Sequence, residues 1–137
     1  MRMRPYEALA LAALAVAACN SAPPVPTSSD PDGKDLVEGA VVAATESAGG
    51  VRLYKIVHVD DLPEPLGYEY HLIAYDPKAG SFEEAARLWA SPSRTIAIPH
   101  IEVRKMHFMP RDHRVLKVEP VSDAELAPYL NRHKPQR

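Results

Sequence analysis

Two stretches of largely apolar residues, VRLYKIV at residues 51–57 and YEYHLIAY at residues 68–75, decide the fold class. Ile, Leu and Tyr occur in both, and Val occurs twice in the first, and β-branched and aromatic residues favour strands. The turn formers Gly49 and Gly50 stand directly before the first stretch. The two stretches therefore predict a pair of neighbouring strands, residues 51–59 and 68–75.

Three more strands are predicted outward from this pair, at residues 36–44, 95–108 and 114–118. The longest of them contains Pro99, where the apolar positions change phase. Because proline lacks the N–H that a sheet ladder needs, we expect a bulge or bend at that residue.

Two short helices are predicted from capping signals. Ser81 and Glu84 have the spacing of a capping box, and the apolar residues that follow recur at helical intervals and place Trp89 on the buried face. Ser122 and Glu125 repeat the signal near the C-terminus, where Pro128 is expected to break the helix or to open a turn.

Five strands with one or two short helices, in about 85 residues, predict a mainly β fold closed as a small antiparallel five-stranded barrel. The order of strands and the Gly-Gly turn over residues 39–76 resembles that of SH3-like and Tudor-like barrels. The resemblance covers less than half of the domain and implies a fold only. The methylated-residue recognition of Tudor domains is not carried over, because an exported protein does not meet histone tails.

The N-terminus has the pattern of an export signal. Arg2 and Arg4 precede an apolar run over residues 8–18, which at 1.5 Å per residue spans roughly 16 Å, about half of a bilayer core. The run ends Val16-Ala17-Ala18-Cys19, which resembles the lipobox of bacterial lipoproteins. The resemblance implies cleavage before Cys19, a diacylglyceryl group on its thiol, and acylation of its new amino group. The protein would then carry two or three acyl chains, which are enough for stable anchoring, whereas one chain binds a membrane only weakly. The alternative is an ordinary signal peptide that leaves a soluble protein.

The predicted organisation has four parts. Residues 1–18 are the signal peptide, residues 19–35 are a Pro- and Ser-rich tether, residues 36–131 are the β-rich domain, and residues 132–137 are a basic tail. Asn20 follows the cysteine, where aspartate would favour retention at the inner membrane, so we expect the outer membrane of the bacterial envelope.

Composition and motifs argue against several functions. A net charge of −2 makes nucleic acid a poor partner. The single cysteine is assigned to the anchor, and the chain has no G-x-S-x-G, P-loop or G-x-G-x-x-G motif. We therefore expect no enzyme and no cofactor.

The six histidines suggest metal chemistry, but only through two-residue pairs such as His58 with Asp60 and His100 with Glu102. Such pairs arise often by chance, so the histidines are expected on the solvated face of a sheet, and no metal site is predicted. The alternative function is a metal-dependent or hydrolytic envelope enzyme that uses His58, His71, His100 and His107.

The charge is unevenly distributed along the chain. Residues 30–99 carry six basic and twelve acidic side chains, whereas residues 100–137 carry eight basic and five acidic ones. A basic segment interleaved with Met and Phe is a candidate docking surface for an acidic envelope protein. Its members are Arg104, Lys105, Arg111 and Arg114. The function expected from all these observations is a lipid-anchored, non-catalytic binding or assembly module, with an immunity or inhibitor lipoprotein as a further alternative.

Overall fold

The computed structural model describes residues 30–109 and 111–133. Its elements in chain order are β1 (Ala40–Thr45), β2 (Val51–Asp61), β3 (Tyr68–Asp76), α1 (Phe82–Trp89), β4 (Thr95–Arg104), α2 (Lys105–Phe108), β5 (His113–Val118) and α3 (Asp123–Arg132). The signal segment with Cys19, most of the tether, and residues 134–137 of the basic tail lie outside the described residues. Within the described ranges, no helix is both long and apolar enough to span a bilayer.

The strands form one antiparallel sheet in the order β4-β3-β2-β1-β5. The predicted mainly β class with five antiparallel strands is confirmed. The sheet is nevertheless open, because β4 and β5 lie at its two opposite edges, so the expected closure into a barrel is wrong. Both faces of the sheet carry buried apolar side chains, and helices cover both of them, so the core is enclosed without closure.

One face is covered by α2, which we call the α2 face. Phe108 is fully buried there, and its ring meets the rings of Tyr54 and Tyr70 edge-on at centroid distances of 6.2 and 6.0 Å. The predicted strand over residues 95–108 is therefore too long. The chain leaves the sheet after Arg104 and makes one helical turn, because this turn inserts Phe108 into the apolar face.

The opposite face is covered by α1 and α3. Ser81 caps α1 by accepting a hydrogen bond from the Glu84 N–H, and Ser122 and Glu125 form the full reciprocal capping box of α3, so both predicted helix starts are confirmed. Pro128 lies inside α3 and does not end it. Its ring removes a single backbone donor, and the helix continues to Arg132.

Irregularities in the strands shift the register in which they pair. Pro99 lies within β4 at the sheet edge, and the β3–β4 register shifts on either side of Ala74, which is opposite Ile98. This confirms the predicted bulge or bend. A further shift, between Ile56 and His58, changes which residues of β2 lie opposite those of β3.

The folded part begins earlier than residue 36. The Gly33 N–H donates to the Asp30 carbonyl at 2.9 Å, the Leu36 N–H donates to the Gly33 carbonyl at 3.1 Å, and both Gly33 and Leu36 are buried. Residues 30–35 thus form turns, and the folded part begins before the predicted boundary at residue 36.

Candidate metal centre

Three pairs of polar residues occupy the end of the sheet beneath α3. Alternate residues of a strand point to the same face, so each i, i+2 pair presents both side chains together. The pairing register places His58 opposite His71, and His71 opposite Glu102, in one row across three strands. The pairs are His58 and Asp60 on β2, Glu69 and His71 on β3, and His100 and Glu102 on β4.

Two of these histidines are buried and share a hydrogen bond. His71 is 0% exposed and His100 is 5% exposed. The His71 Nδ1 and His100 Nε2 atoms are 2.9 Å apart, and the two rings are within 5° of parallel. The other nitrogen of His71, Nε2, lies 2.7 Å from Asp60 Oδ2 and 3.6 Å from Glu69 Oε1. The buried imidazole pair therefore has carboxylates on one side.

The ionisation of Asp60 fixes where the protons lie. Burial would raise the pKa of this carboxyl, but hydrogen bonds from His71 and His58 outweigh it and lower the pKa below its usual value. An ionised carboxylate only accepts, so His71 Nε2 donates to Asp60. With one proton on each ring, His71 Nδ1 then accepts from His100 Nε2.

This arrangement leaves a lone pair on His100 Nδ1. That atom is buried and has no hydrogen-bond partner among the described residues. Burial lowers the pKa of His100, and repulsion from His71 and Arg132 lowers it further against the attraction of Glu102. A buried polar atom without a partner costs about 1–3 kcal/mol. The lowered pKa favours the neutral form of His100, whose Nδ1 stays without a partner among the described residues.

The last turn of α3 covers the histidines. The Tyr129 ring stacks on His58 at a centroid distance of 4.5 Å and lies 4.5 Å from His71. Burial raises the pKa of Tyr129, and the negative charges of Asp60, Glu102 and Glu69 raise it further, so the phenol stays protonated. The His133 ring lies 5.4 Å from that of His71.

The donor atoms converge closely enough to hold a metal ion. One set consists of His71, His100 and Glu102, and its ligand atoms all lie within 4.8 Å of one another. Donors at about 2.0–2.2 Å from a tetrahedral ion are about 3.4 Å apart, so the facing nitrogens of His71 and His100, now 2.9 Å apart, would separate slightly and the longer distances in the set would shorten. A second set, Asp60, Glu69 and His71, shares the buried histidine.

The two sets differ in what they can do. Two imidazoles and one carboxylate suit Zn²⁺, Cu²⁺ or Ni²⁺. In the second set Asp60 already accepts from His71 and His58, at 2.7 and 2.9 Å. This is the arrangement in which a carboxylate orients a metal-binding histidine from outside the coordination sphere. The first set would therefore supply the ligands of a bound ion, and Asp60 would position one of them.

The sequence-based expectation about the histidines is corrected here. Three of the four histidines of the alternative enzyme hypothesis, His58, His71 and His100, lie together, and His71 and His100 are buried instead of solvated. Pairs of polar residues that arise by chance were not expected to meet in the fold, but the strand register places these pairs side by side. His107 is exposed on α2, and the buried His113 lies beside Phe108, with ring centroids 5.8 Å apart.

Sequence reasoning missed Glu69 and His133. Glu69 and His71 repeat the two-residue spacing of the other pairs, which was a usable signal. His133 follows the last turn of α3, and only the path of that helix across the sheet places it near His71.

The four basic residues predicted to bind a partner contact different parts of the fold. Arg104 lies 4.0 Å from Glu69, and Lys105 lies over the Tyr68 ring at 5.6 Å. Arg111 donates to the Tyr54 hydroxyl at 3.3 Å, and the Arg114 guanidinium lies 4.8 Å from the Phe82 ring centroid. Docking through these residues stays a prediction.

Comparison of the chain with protein-family models, curated proteins and solved structures gives no significant match.

Proposed function

We propose that this protein is a lipid-anchored, non-catalytic binding module of the bacterial envelope whose ligand is a divalent transition-metal ion. His71, His100 and Glu102 supply the ligands between β3 and β4. The observation that carries the proposal is the buried pair of imidazoles, with nitrogens 2.9 Å apart and one ring nitrogen without a partner among the described residues.

An ion would take a lone pair from each buried ring. His100 offers Nε2, the nitrogen that faces His71, once the proton shared between the two rings has left or has moved to His100 Nδ1. His71 offers Nδ1, because Asp60 holds the proton on Nε2. Metal binding therefore displaces the proton that the two rings share, and this favours the metal at neutral pH over acidic pH.

The surroundings of the cluster favour binding over catalysis. The Tyr129 and His133 rings lie over the histidine pair, at centroid distances of 4.5 and 5.4 Å from His71. Structural zinc sites are closed, whereas catalytic ones keep a coordination position open for water or substrate. A metal-dependent envelope enzyme is the alternative, and it would use the side of the cluster where the Glu102 and His133 side chains are 41% and 42% exposed.

Zinc titration of the full-length protein in detergent, followed calorimetrically, tests the proposal. We expect one Zn²⁺ per chain, and an affinity at least about 100-fold weaker for His100→Ala, because loss of an outer partner alone costs about 10–100-fold. His107→Ala is the matched control, since His107 is exposed on α2, and it should bind like the parent. Absence of binding in the parent, or equal binding by the two variants, would refute the proposal.

The anchor is tested separately through Cys19, which lies outside the described residues. Lipidation there would hold the domain at the outer membrane, where Arg104 and Lys105 could meet an acidic protein partner. Cys19→Ser should leave the protein without lipid and largely out of the washed membrane pellet. An unchanged pellet fraction would show that something else retains the protein.

A further inference from the structure

We infer that His133 is the fourth ligand of the proposed metal site, so that the bound ion fastens the last turn of α3 to the sheet. This inference rests on the proposed function. It adds a ligand from the C-terminal end of α3 to those on β3 and β4, and it implies that a bound ion holds this end of the helix to the sheet.

The tautomer of His133 presents the required lone pair. Its Nδ1 lies 2.9 Å from the Tyr129 carbonyl oxygen, which can only accept, so Nδ1 carries the proton. The lone pair of the neutral ring is then on Nε2. That atom lies 4.0 Å from Glu102 Oε1, which belongs to the proposed ligand set.

The Tyr129 carbonyl thus does for His133 what Asp60 does for His71. In each case an acceptor holds the proton on one ring nitrogen and leaves the other nitrogen toward the cluster. Such outer hydrogen bonds are the usual way in which proteins orient metal-binding histidines. Here the acceptor is the helix's own backbone, one turn before the histidine.

The positions of the rings suit a four-coordinate ion. The His133 ring lies 5.4 Å from that of His71 and 6.4 Å from that of His100, at angles of 89° and 84°. Three imidazoles and one carboxylate complete a tetrahedral site. The 4.0 Å between His133 Nε2 and Glu102 Oε1 exceeds the about 3.4 Å expected on a tetrahedral ion by only a few tenths of an ångström.

The rest of α3 packs through partly buried side chains, with Leu126 against the apolar core. None of its residues is buried, and its first turn is held by the ion pair of Lys55 with Glu125 at 2.9 Å. The last turn contacts the sheet through Tyr129 and His133, which lie over the histidines. A metal bond at His133 would be the strongest link between that turn and the sheet.

Hydrogen exchange of the full-length protein, with and without Zn²⁺, tests the inference. With free Zn²⁺ about tenfold above the Kd, any opening that breaks the His133 bond should be suppressed about tenfold. Amide exchange should therefore slow by that factor over residues 129–133. His133→Ala should bind zinc at least about 100-fold more weakly, as expected for His100→Ala, and show no such slowing when saturated.

A second variant separates ligand loss from loss of the helix cap. His133→Asn keeps a side-chain donor for the Tyr129 carbonyl but lacks the imidazole lone pair, and it should behave like His133→Ala. Unchanged zinc affinity and full protection in both variants would overturn the inference while the proposed function stands. Failure of the parent protein to bind zinc would overturn both.

Discussion

The two helices that cover the same face of the sheet do so by different means. Under α1, Ala85 is fully buried, and the Trp89 ring meets Tyr75 edge-on at 5.2 Å. Under α3, which has no buried residue, lie the ammonium of Lys55 and the histidine cluster. A single strand, β3, runs beneath both helices, with polar side chains under α3 and apolar side chains under α1.

The contact of α1 with the sheet should therefore depend little on pH and ligands, whereas that of α3 should depend on both. Burial of apolar surface depends little on pH or on ligands. Ion pairs and imidazoles depend on both, because their stabilising effect changes with every proton or ion gained. We therefore expect α1 to be held under all conditions in which the domain folds, and α3 to respond to its surroundings.

The largest effect is expected at Trp89. Trp89→Ala removes the ring contact with Tyr75, the Arg94 guanidinium 3.7 Å over the indole, and the hydrogen bond to Glu119. Because the side chain is partly exposed, we expect a loss of about 3 kcal/mol, the lower end for Trp→Ala. Urea denaturation measures it. Arg87→Ala, exposed on the same helix, is the control, and equal midpoints for the two variants would show that α1 is not held by this ring.

A smaller loss is expected at the polar helix. Glu125→Gln removes the negative charge that pairs with Lys55, which is 3% exposed, while the Pro120 carbonyl at 2.9 Å still accepts from the ammonium. Breaking a fully buried pair costs about 3–5 kcal/mol, but Glu125 is 22% exposed and one acceptor remains, so we expect about 2 kcal/mol. Asp123→Asn, exposed in the same turn, is the matched control.

The Lys55 pair can be tested further by removing both charges. Lys55→Met combined with Glu125→Gln should recover most of the loss, because no unpaired charge then stays buried. A double variant as unstable as Glu125→Gln alone would mean that the loss does not come from the unpaired charge of Lys55.

Much of the fold was predictable because its signals are local. The start of α1 at Ser81 and the start of α3 at Ser122 follow from side chains that bond to backbone three residues away. The strand over residues 51–59 needed only its own composition. Helix α2 was missed because its cause is remote: Phe108 turns inward to meet Tyr54 and Tyr70.

The site was less predictable than the fold. Each histidine pair is visible in the sequence, but which pairs meet depends on register. The shift between Ile56 and His58 decides that His58 lies opposite His71. A slip of one residue would turn His71 to the other face. No pattern in a single strand contains that information.

Acid should weaken α3 through Glu125. Burial would raise the pKa of this carboxyl, but the Ser122 backbone N–H and Lys55 outweigh burial and hold the pKa below its ordinary 4.5. The contribution is therefore fully present above the unfolded-state pKa and is lost as pH falls through the lower folded-state value. The stability gap between the parent and Glu125→Gln should narrow between about pH 5 and pH 3. Urea titrations of both proteins at several pH values measure it, and a constant gap would contradict the assignment.

The smallest effect is expected at His58. Its ring stacks on Tyr129 and its Nε2 donates to Asp60 at 2.9 Å, but the side chain is 33% exposed, and Asp60 keeps its bond to His71. His58→Ala should therefore cost under about 1 kcal/mol, the usual value of an exposed aromatic pair. His58→Phe, which keeps the stacking and loses the hydrogen bond, should recover most of this in thermal denaturation.

A loss at His58 as large as that at Glu125 would change the comparison of the two helices. It would mean that α3 is held at its last turn by stacked rings, as α1 is held by Trp89. An ion bound beneath that turn would then tighten a contact that is already firm. A small loss leaves the last turn of α3 weakly attached in the absence of metal, which is the condition under which a metal bond at His133 has the most effect.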